Sequence, residues 1–230
     1  MKQDDSILFL GKEGDRFCQK ALDLCKKNFT RVTSYMSSSY NEEMPIKAKY
    51  WTGDYVISYL NRWILPEALI SNALGGAVNF HPAPPEYPGC GCANFALYDE
   101  VGIYGATCHY MKPKVDSGDI IKVNRFTVNR HDDLETLLEK SYFFQYLLFE
   151  EAIEHILTHK RLPPADPNEK WVGDPTTKKQ MEALYEIKPF ENGELISENK
   201  LKRIIKATSF NKWQPSINLH GYNFTLTCSE

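Results

Sequence analysis

The amide of Asn79, the imidazole of His81 and the carboxylate of Asp116 are the three kinds of group that suit acyl transfer to an amine. An amide donates hydrogen bonds to an oxyanion, an imidazole takes and returns a proton, and a carboxylate fixes the imidazole and stabilises its charge. Asn79 and His81 lie two residues apart at the edge of a predicted strand, and Asp116 opens an Asp-Ser-Gly turn into another strand. These residues therefore predict an active site, with His109 as a supporting group for Asp116.

Each of these residues also has a purely structural interpretation. Asn79 fits a turn at the end of a strand, His81 fits a loop histidine with satisfied hydrogen bonds, and Asp116 fits the first position of an Asp-Ser-Gly turn. For any one residue alone, the structural interpretation is the more common one. The combination of all three in one stretch favours the catalytic hypothesis.

Alternating strands and helices are predicted to position these groups. A short apolar run predicts a strand over residues 6–10, and further strands are predicted over 31–35, 54–60 and 78–80, with helices over 15–27 and 66–74 and the pair Gly75-Gly76 after the second helix. Strands over 105–111 and 119–128 flank the Asp116 turn, and a long helix over 132–159 opens with an Asp132-x-x-Glu135 capping box. The order predicts an α/β fold with a mostly parallel, Rossmann-like sheet covered by helices on both faces.

The last part of the chain has a different pattern. Residues 161–176 contain four prolines and predict a linker on the surface, followed by helices near 178–187 and 198–208 and a terminal hairpin that turns at His220-Gly221. This divides the chain into a catalytic domain, residues 1–160, and a small α+β extension, residues 161–230. The hairpin has an apolar face formed by Ile217, Leu219, Phe224 and Leu226. Such a face must pack within its own domain or against a partner, and we expect a homodimer.

Composition and charge exclude several other classes of protein. The net charge is −3 and no run of Lys or Arg occurs, so an extended nucleic-acid surface is not expected. No apolar run reaches the roughly 18 residues of a membrane span, and no apolar leader follows Met1, which predicts a cytoplasmic protein. The cysteines at 18, 25, 90, 92, 108 and 228 lack the spacing of a zinc knuckle. We therefore expect reduced thiols and no metal.

The segment Asn79-Phe80-His81-Pro82, followed by a proline-rich loop that ends at Gly89, resembles the signature of formyltransferases that use N10-formyltetrahydrofolate. The segments 109–111 and 116–121 resemble the family's second motif, and residues 54–66 resemble the strand and turn that cradle the pterin. The resemblance covers roughly residues 5–160. It implies that Asn79, His81 and Asp116 are catalytic and that N10-formyltetrahydrofolate is the formyl donor. It further implies that the folate is bound by Arg62, Ile64, Met111, Lys112 and Val115.

The proline-rich loop is similar to that of sugar N-formyltransferases, in the short form of enzymes that formylate dTDP-4-amino-4,6-dideoxyglucose. The resemblance implies a nucleotide-linked amino sugar as acceptor and a role in bacterial O-antigen or other surface polysaccharide. Tyr87, Asn94 and Tyr98 are candidates for contact with the sugar and are equally compatible with packing in the interior, with contact favoured for Tyr87. Two alternatives remain. Formylation of initiator methionyl-tRNA would favour a longer chain with a basic C-terminal domain, and a non-catalytic folate- or nucleotide-binding module would not need the intact set of three residues.

Overall fold

A six-stranded sheet forms the centre of the protein, in a computed structural model that describes residues 2–211 and 213–227. Its strands are β1 (Gln3–Lys12), β2 (Phe29–Ser37), β3 (Gly53–Tyr59), β4 (Ala73–His81), β5 (Ile103–Tyr110) and β6 (Ile120–Thr127), and they lie in the order β2-β1-β3-β4-β5-β6. The first four pair in parallel, whereas β5 and β6 are antiparallel to their neighbours. The predicted mostly parallel sheet is confirmed.

Helices cover both faces of this sheet, as predicted. They are α1 (Arg16–Asn28), α2 (Ile46–Lys49), α3 (Glu67–Ser71), α4 (Cys92–Tyr98), α5 (Leu134–His159), α6 (Lys178–Leu184) and α7 (Glu198–Thr208). On one face, α1 and α5 bury side chains such as Phe149 against Phe9 and Phe80 of the sheet. On the other face, α2 and α3 cover Leu8 and Val56. Burial of these apolar side chains is the main source of stability for such a layered fold.

The predicted helix over 66–74 was too long. Helix α3 ends at Ser71, and β4 already begins at Ala73, so Gly75 and Gly76 lie inside a strand instead of ending a helix. A Cβ atom on Gly75 would lie 2.4 Å from the ring of Tyr55 on the neighbouring strand. Pairing with β3 therefore decides the structure of this segment over its local helical pattern.

The capping box of α5 was placed one residue too early. The N-cap is Asp133, whose carboxylate accepts from the backbone N–H of Thr136 while the Thr136 side chain accepts from the Asp133 N–H. Asp132 instead forms an ion pair with Lys140, with an Oδ2–Nζ distance of 2.6 Å. The sequence offers two adjacent aspartates, and only the backbone turn distinguishes their roles.

Residues 161–177, named here the strap, run back across the loop that follows β4. The Val172 N–H donates to the Pro85 carbonyl at 3.0 Å, and the Thr176 N–H donates to the Pro88 carbonyl at 3.0 Å. Beyond the strap, α7 packs against α4 and α5, with Ala207 buried between them. The division of the chain at residue 160 stays a prediction, and these contacts cross it.

The terminal hairpin is confirmed, with β9 (Ser216–Leu219) and β10 (Tyr222–Thr225) joined by His220 and Gly221 at φ angles of 52° and 84°. A second, two-residue pair, β7 (Phe190–Glu191) and β8 (Glu194–Leu195), was not predicted. None of the helices in the described residues is long and apolar enough to cross a membrane.

The cysteines that the structure describes, at 18, 25, 90, 92 and 108, are free thiols, and Cys228 lies outside the described residues. Residues 2–211 and 213–227 contain no group of three or more His, Cys, Asp or Glu side chains arranged to hold a metal ion.

Candidate active site

The register between β4 and β5 places three polar side chains together. Asn79 of β4 lies directly opposite His109 of β5, and the Asn79 Nδ2 atom is 3.1 Å from His109 Nε2. His81 follows Asn79 by two residues and so shares its face of the strand. His109 thus reaches the site through sheet pairing, which sequence spacing alone does not reveal.

Asp116 is brought to the same place by the turn between β5 and β6. Its backbone has a φ of 42°, in the left-handed region that aspartate tolerates better than most residues. Two residues later, a Cβ on Gly118 would lie 1.7 Å from the Tyr110 carbonyl oxygen, so only glycine allows this close approach. The Asp-Ser-Gly turn therefore directs the Asp116 carboxylate back towards the end of β4.

The carboxylate of Asp116 lies between two imidazoles. Its Oδ2 is 3.4 Å from His81 Nδ1, and its Oδ1 is 3.4 Å from His109 Nε2. The Gly89 N–H also donates to Oδ2, at 2.7 Å. Asp116, His81 and His109 are 7%, 5% and 2% exposed, so the group is shielded from water. We name Asn79, His81, His109 and Asp116 the amide–imidazole–carboxylate cluster.

Burial by itself would raise the pKa of Asp116, because it removes water from the charged form. The charge of His81, the hydrogen bond and charge of His109, and the Gly89 N–H together outweigh burial and hold the pKa of Asp116 well below its usual range. His81 Nε2 lies 2.9 Å from the Tyr87 carbonyl oxygen, so both ring nitrogens of His81 face oxygen acceptors.

The strap closes one side of the cluster, a contact that no sequence pattern predicts. The Trp171 ring contacts the rings of His81 and His109 edge-on, with centroid distances of 5.8 Å and 4.9 Å. Its Nε1–H donates to the Gly118 carbonyl at 2.7 Å. The strap is tied to β6 by Arg125, whose Nη2 lies 2.9 Å from Glu169 Oε2. A segment expected to be a surface linker therefore forms a wall of the site.

The other side of the cluster opens into a cleft of about 920 Å³. The cleft lies at the carboxyl ends of β1, β3 and β4, where Lys12, Leu60 and His81 are found. β2 lies on one side of β1, whereas β3 and β4 follow on its other side, so the order in which strands are added to the sheet reverses between β1 and β3. Ligands of open α/β sheets bind at such a point, and the volume suits an organic ligand of substantial size.

The residues expected to bind folate line this cleft: Arg62, Ile64, Met111, Lys112 and Val115. The Ile64 side chain is 76% exposed, which is unusual for an isoleucine and suits contact with a flat apolar ring. Two backbone donors are already engaged, since the Arg62 N–H donates to Ser37 Oγ at 3.1 Å and the Met111 N–H to the Ala77 carbonyl at 2.9 Å. The backbone of these two residues can therefore offer a ligand only carbonyl oxygens.

Of the three candidates for contact with the sugar, the described lining of the cleft includes Asn94 but neither Tyr87 nor Tyr98. The Asn94 amide donates to the Ala207 carbonyl at 2.7 Å, which ties α4 to α7. The Tyr87 hydroxyl donates to Asp99 at 2.9 Å, and only its backbone carbonyl reaches His81. The Tyr98 ring lies under the Arg203 guanidinium at 4.4 Å.

The lining of the cleft has more cations than carboxylates, although four of the cations form ion pairs with carboxylates outside it: Lys12 with Asp15, Lys112 with Asp119, Lys114 with Asp174 and Lys178 with Glu182. The cations are Lys12, Lys49, Arg62, Lys112, Lys114 and Lys178, and the carboxylates are Glu42 and Asp116. Two aromatic rings stand among the cations, with Arg62 at 5.3 Å from the Tyr40 ring and Lys12 at 5.3 Å from the Tyr142 ring. The combination favours a ligand that has both negative charge and flat rings.

Comparison of the sequence with protein families matches residues 9–153 to a model described as formyl transferase. A methionyl-tRNA formyltransferase of Listeria welshimeri is 31% identical over 121 residues, which cover 52% of this chain and 37% of that protein. The chain therefore spans well under half the length of this curated relative.

Two solved structures resemble the whole chain more evenly. A 4-N formyltransferase from Francisella tularensis superposes with a TM-score of 0.77 at 18% identity, over 97% of each chain. An N-formyltransferase from Helicobacter canadensis, solved with folinic acid and dTDP-3-aminofucose, gives a TM-score of 0.69 at 14% identity, over 94% of this chain and 85% of that one. At these identities the likeness establishes a shared fold.

Proposed function

Because the chain belongs to the formyl transferase family, we propose that it is an enzyme that moves a formyl group from N10-formyltetrahydrofolate to the amine of a nucleotide-linked amino sugar. The observation that carries the proposal is the buried Asp116 carboxylate held between His81 and His109, beside Asn79, on the wall of a large cleft. These are the groups that acyl transfer to an amine requires, and they meet where an α/β sheet binds its ligands.

In the proposed reaction, the amine attacks the formyl carbon as a free base, and a C–N bond forms while the carbonyl oxygen gains negative charge. The Asn79 amide donates a hydrogen bond to that oxygen, a contribution of roughly 3–4 kcal/mol to the transition state, and the positive charge of protonated His81 stabilises the oxygen further. The bond between the formyl carbon and N10 then breaks. His81 gives a proton to N10 as this bond breaks and takes up the proton lost by the attacking amine, while Asp116, in contact with the ring, stabilises its positive charge.

The acceptor is proposed from the charge and rings of the cleft. A nucleotide diphosphate sugar carries two phosphates and a flat base, which match the cations and the rings of Tyr40 and Tyr142. We propose dTDP-4-amino-4,6-dideoxyglucose as the specific acceptor, and a role in O-antigen or other lipopolysaccharide synthesis in the cytoplasm. Methionyl-tRNA is the alternative acceptor, which the similarity to the Listeria enzyme favours and the acidic net charge opposes.

A homodimer is part of the proposal. Leu219 and Phe224 of the terminal hairpin are 41% and 57% exposed, so residues 2–211 and 213–227 leave their apolar face largely uncovered. Backbone hydrogen bonds tie the hairpin to residues 185–187, through Ser216 and Ile187, so the exposed face is held in place. A twofold contact between two such hairpins would cover it.

The test is an assay of purified protein with N10-formyltetrahydrofolate and a panel of acceptors, with product masses read by mass spectrometry. The panel contains dTDP-4-amino-4,6-dideoxyglucose, its 3-amino isomer, UDP-linked amino sugars and initiator methionyl-tRNA. We expect one nucleotide sugar to gain the mass of a formyl group in place of hydrogen, and His81→Ala and Asp116→Ala each to lower turnover at least about a hundredfold. Formylation of methionyl-tRNA alone would replace the proposed acceptor, and no formylation at all would reject the activity.

A further inference from the structure

Two polar side chains lie where helix α5 should be apolar. Ser141 and Gln145 fall one turn apart on the buried stripe of α5, between Leu137 and Leu148, and both are fully buried. Each side chain donates a hydrogen bond to a backbone carbonyl of the β4 end. The Ser141 hydroxyl bonds to the Pro82 carbonyl, and Gln145 Nε2 bonds to the Phe80 carbonyl at 2.5 Å.

The two carbonyls lie on either side of His81. The ladder with β5 ends at the pair of His81 and Thr107, and three prolines follow among the next four residues, none of which can donate a backbone hydrogen bond. The backbone on which His81 stands therefore leaves the sheet at this point. Its carbonyls are fixed by side chains from α5, and further along by Thr107, whose hydroxyl donates to the Ala83 carbonyl at 2.7 Å.

Stability alone does not account for Gln145. Its Oε1 atom is buried and has no hydrogen-bond partner among the described residues. Removing this oxygen from water therefore costs folding free energy that no hydrogen bond in the protein returns. A methionine of similar length would fill the same space without that cost. The contribution that only the amide makes is the hydrogen bond that fixes Phe80, next to His81.

We propose, on the basis of the proposed function, that Gln145 and Ser141 are positioning residues for His81. By holding the carbonyls before and after it, they set the direction of the imidazole, so that one nitrogen faces Asp116 and the other faces the Tyr87 carbonyl. A misplacement of about 1 Å in a reacting group can lower a rate by as much as roughly a hundredfold. The two residues act on turnover through His81 and do not contact substrate.

The test compares Gln145→Met and Ser141→Ala with Thr208→Val, which removes another fully buried helix hydroxyl, one that bonds to Ile204 of its own helix. We expect Gln145→Met to lower kcat about tenfold to a hundredfold, with KM values for both substrates within about twofold of wild type. The Tm of Gln145→Met should stay within about 4 °C of wild type. The substitution removes the buried unpaired Oε1 atom, and this gain offsets the cost of leaving the Phe80 carbonyl without its hydrogen bond. Ser141→Ala, which adds no volume, should lower kcat less, and Thr208→Val should leave kcat unchanged.

Two further readouts separate positioning from a general structural effect. In a His81→Ala background, Gln145→Met should cause no additional loss of kcat, since residues that act through one group are not additive. In NMR spectra of histidine-labelled protein, Gln145→Met should shift or broaden the ring signals of His81 and leave those of His155 and His220 in place. The NMR measurement needs no substrate, so it decides the inference even if the proposed reaction is wrong. Wild-type kcat in both α5 variants, or unchanged His81 signals, would overturn it.

Discussion

Replacement of Trp171 tests whether the strap belongs to the site. The side chain makes two edge-on ring contacts, to His81 and His109, and donates one hydrogen bond to Gly118. Aromatic contacts of this kind contribute about 0.5–1.5 kcal/mol each, and the hydrogen bond about 1 kcal/mol. Trp171→Ala should therefore lower the free energy of unfolding by roughly 2–4 kcal/mol, which lowers Tm by about 5–15 °C for a chain of this size.

The same substitution should lower activity, because it opens the cluster to water on the side opposite the cleft. Water beside Asp116 weakens its interaction with the two imidazoles, and we expect kcat to fall at least about tenfold. Trp171→Phe keeps a ring and loses only the N–H, so its Tm should fall by about 2–4 °C. Val172→Ala is the matched control, since this exposed neighbour contributes a backbone hydrogen bond that the substitution preserves. Calorimetry and initial rates measure both effects, and a Trp171→Ala protein with wild-type Tm and kcat would refute the reasoning.

Three other predictions concern the carboxylate, the folate and the hairpin. The folded-state pKa of Asp116 lies below its unfolded value of about 3.9, so its stabilisation is present above that pH and is lost as pH falls through the folded pKa. Asp116→Asn should therefore have a lower free energy of unfolding than wild type in urea at pH 7, and the difference between the two proteins should become smaller below about pH 4. A difference that does not change with pH would contradict this prediction. Ile64→Val should bind folate nearly normally in titration calorimetry, whereas Ile64→Pro should not, because the pterin is expected to contact backbone groups here. Equal folate affinities of the two variants would refute the expected backbone contact. Phe224→Glu should make the dimer monomeric in light scattering, while Asn223→Glu at the neighbouring exposed position should not, and wild-type protein that is already monomeric at micromolar concentration would reject the dimer.

The elements that carry strong local patterns were predictable from the sequence. An apolar run identified β1, the helical spacing of apolar residues identified α1, and the His220-Gly221 pair identified the terminal turn. The start of β4 was missed because its first residues take their conformation from pairing with β3, as the contact of Gly75 with Tyr55 demonstrates. Local sequence does not record that pairing.

The cluster was predictable in part. Asn79 and His81 share a strand face, and Asp116 sits in a recognisable turn, so the sequence could place these groups near one another. Ser141 and Gln145 left a signal, since they interrupt an apolar helical stripe, but their partners depend on how α5 crosses the sheet. Trp171 left none, because a tryptophan in a proline-rich segment is equally compatible with a surface linker. The catalytic roles of Asn79, His81 and Asp116 stay predictions.

The path of the strap has a consequence for how the protein is made. Asn79, His81, His109 and Asp116 all leave the ribosome well before Trp171 and Thr176. All six strands and α5 are thus synthesised before the strap, at a stage when nothing yet covers the strap side of the Asp116 carboxylate. The cluster becomes enclosed only when the strap is synthesised and binds across Pro85 and Pro88. A chain that extends only to the end of α5 contains all six strands and the helix that buries Phe149 against them, but it lacks the strap, so completion of the sheet and enclosure of the cluster are separate steps in synthesis.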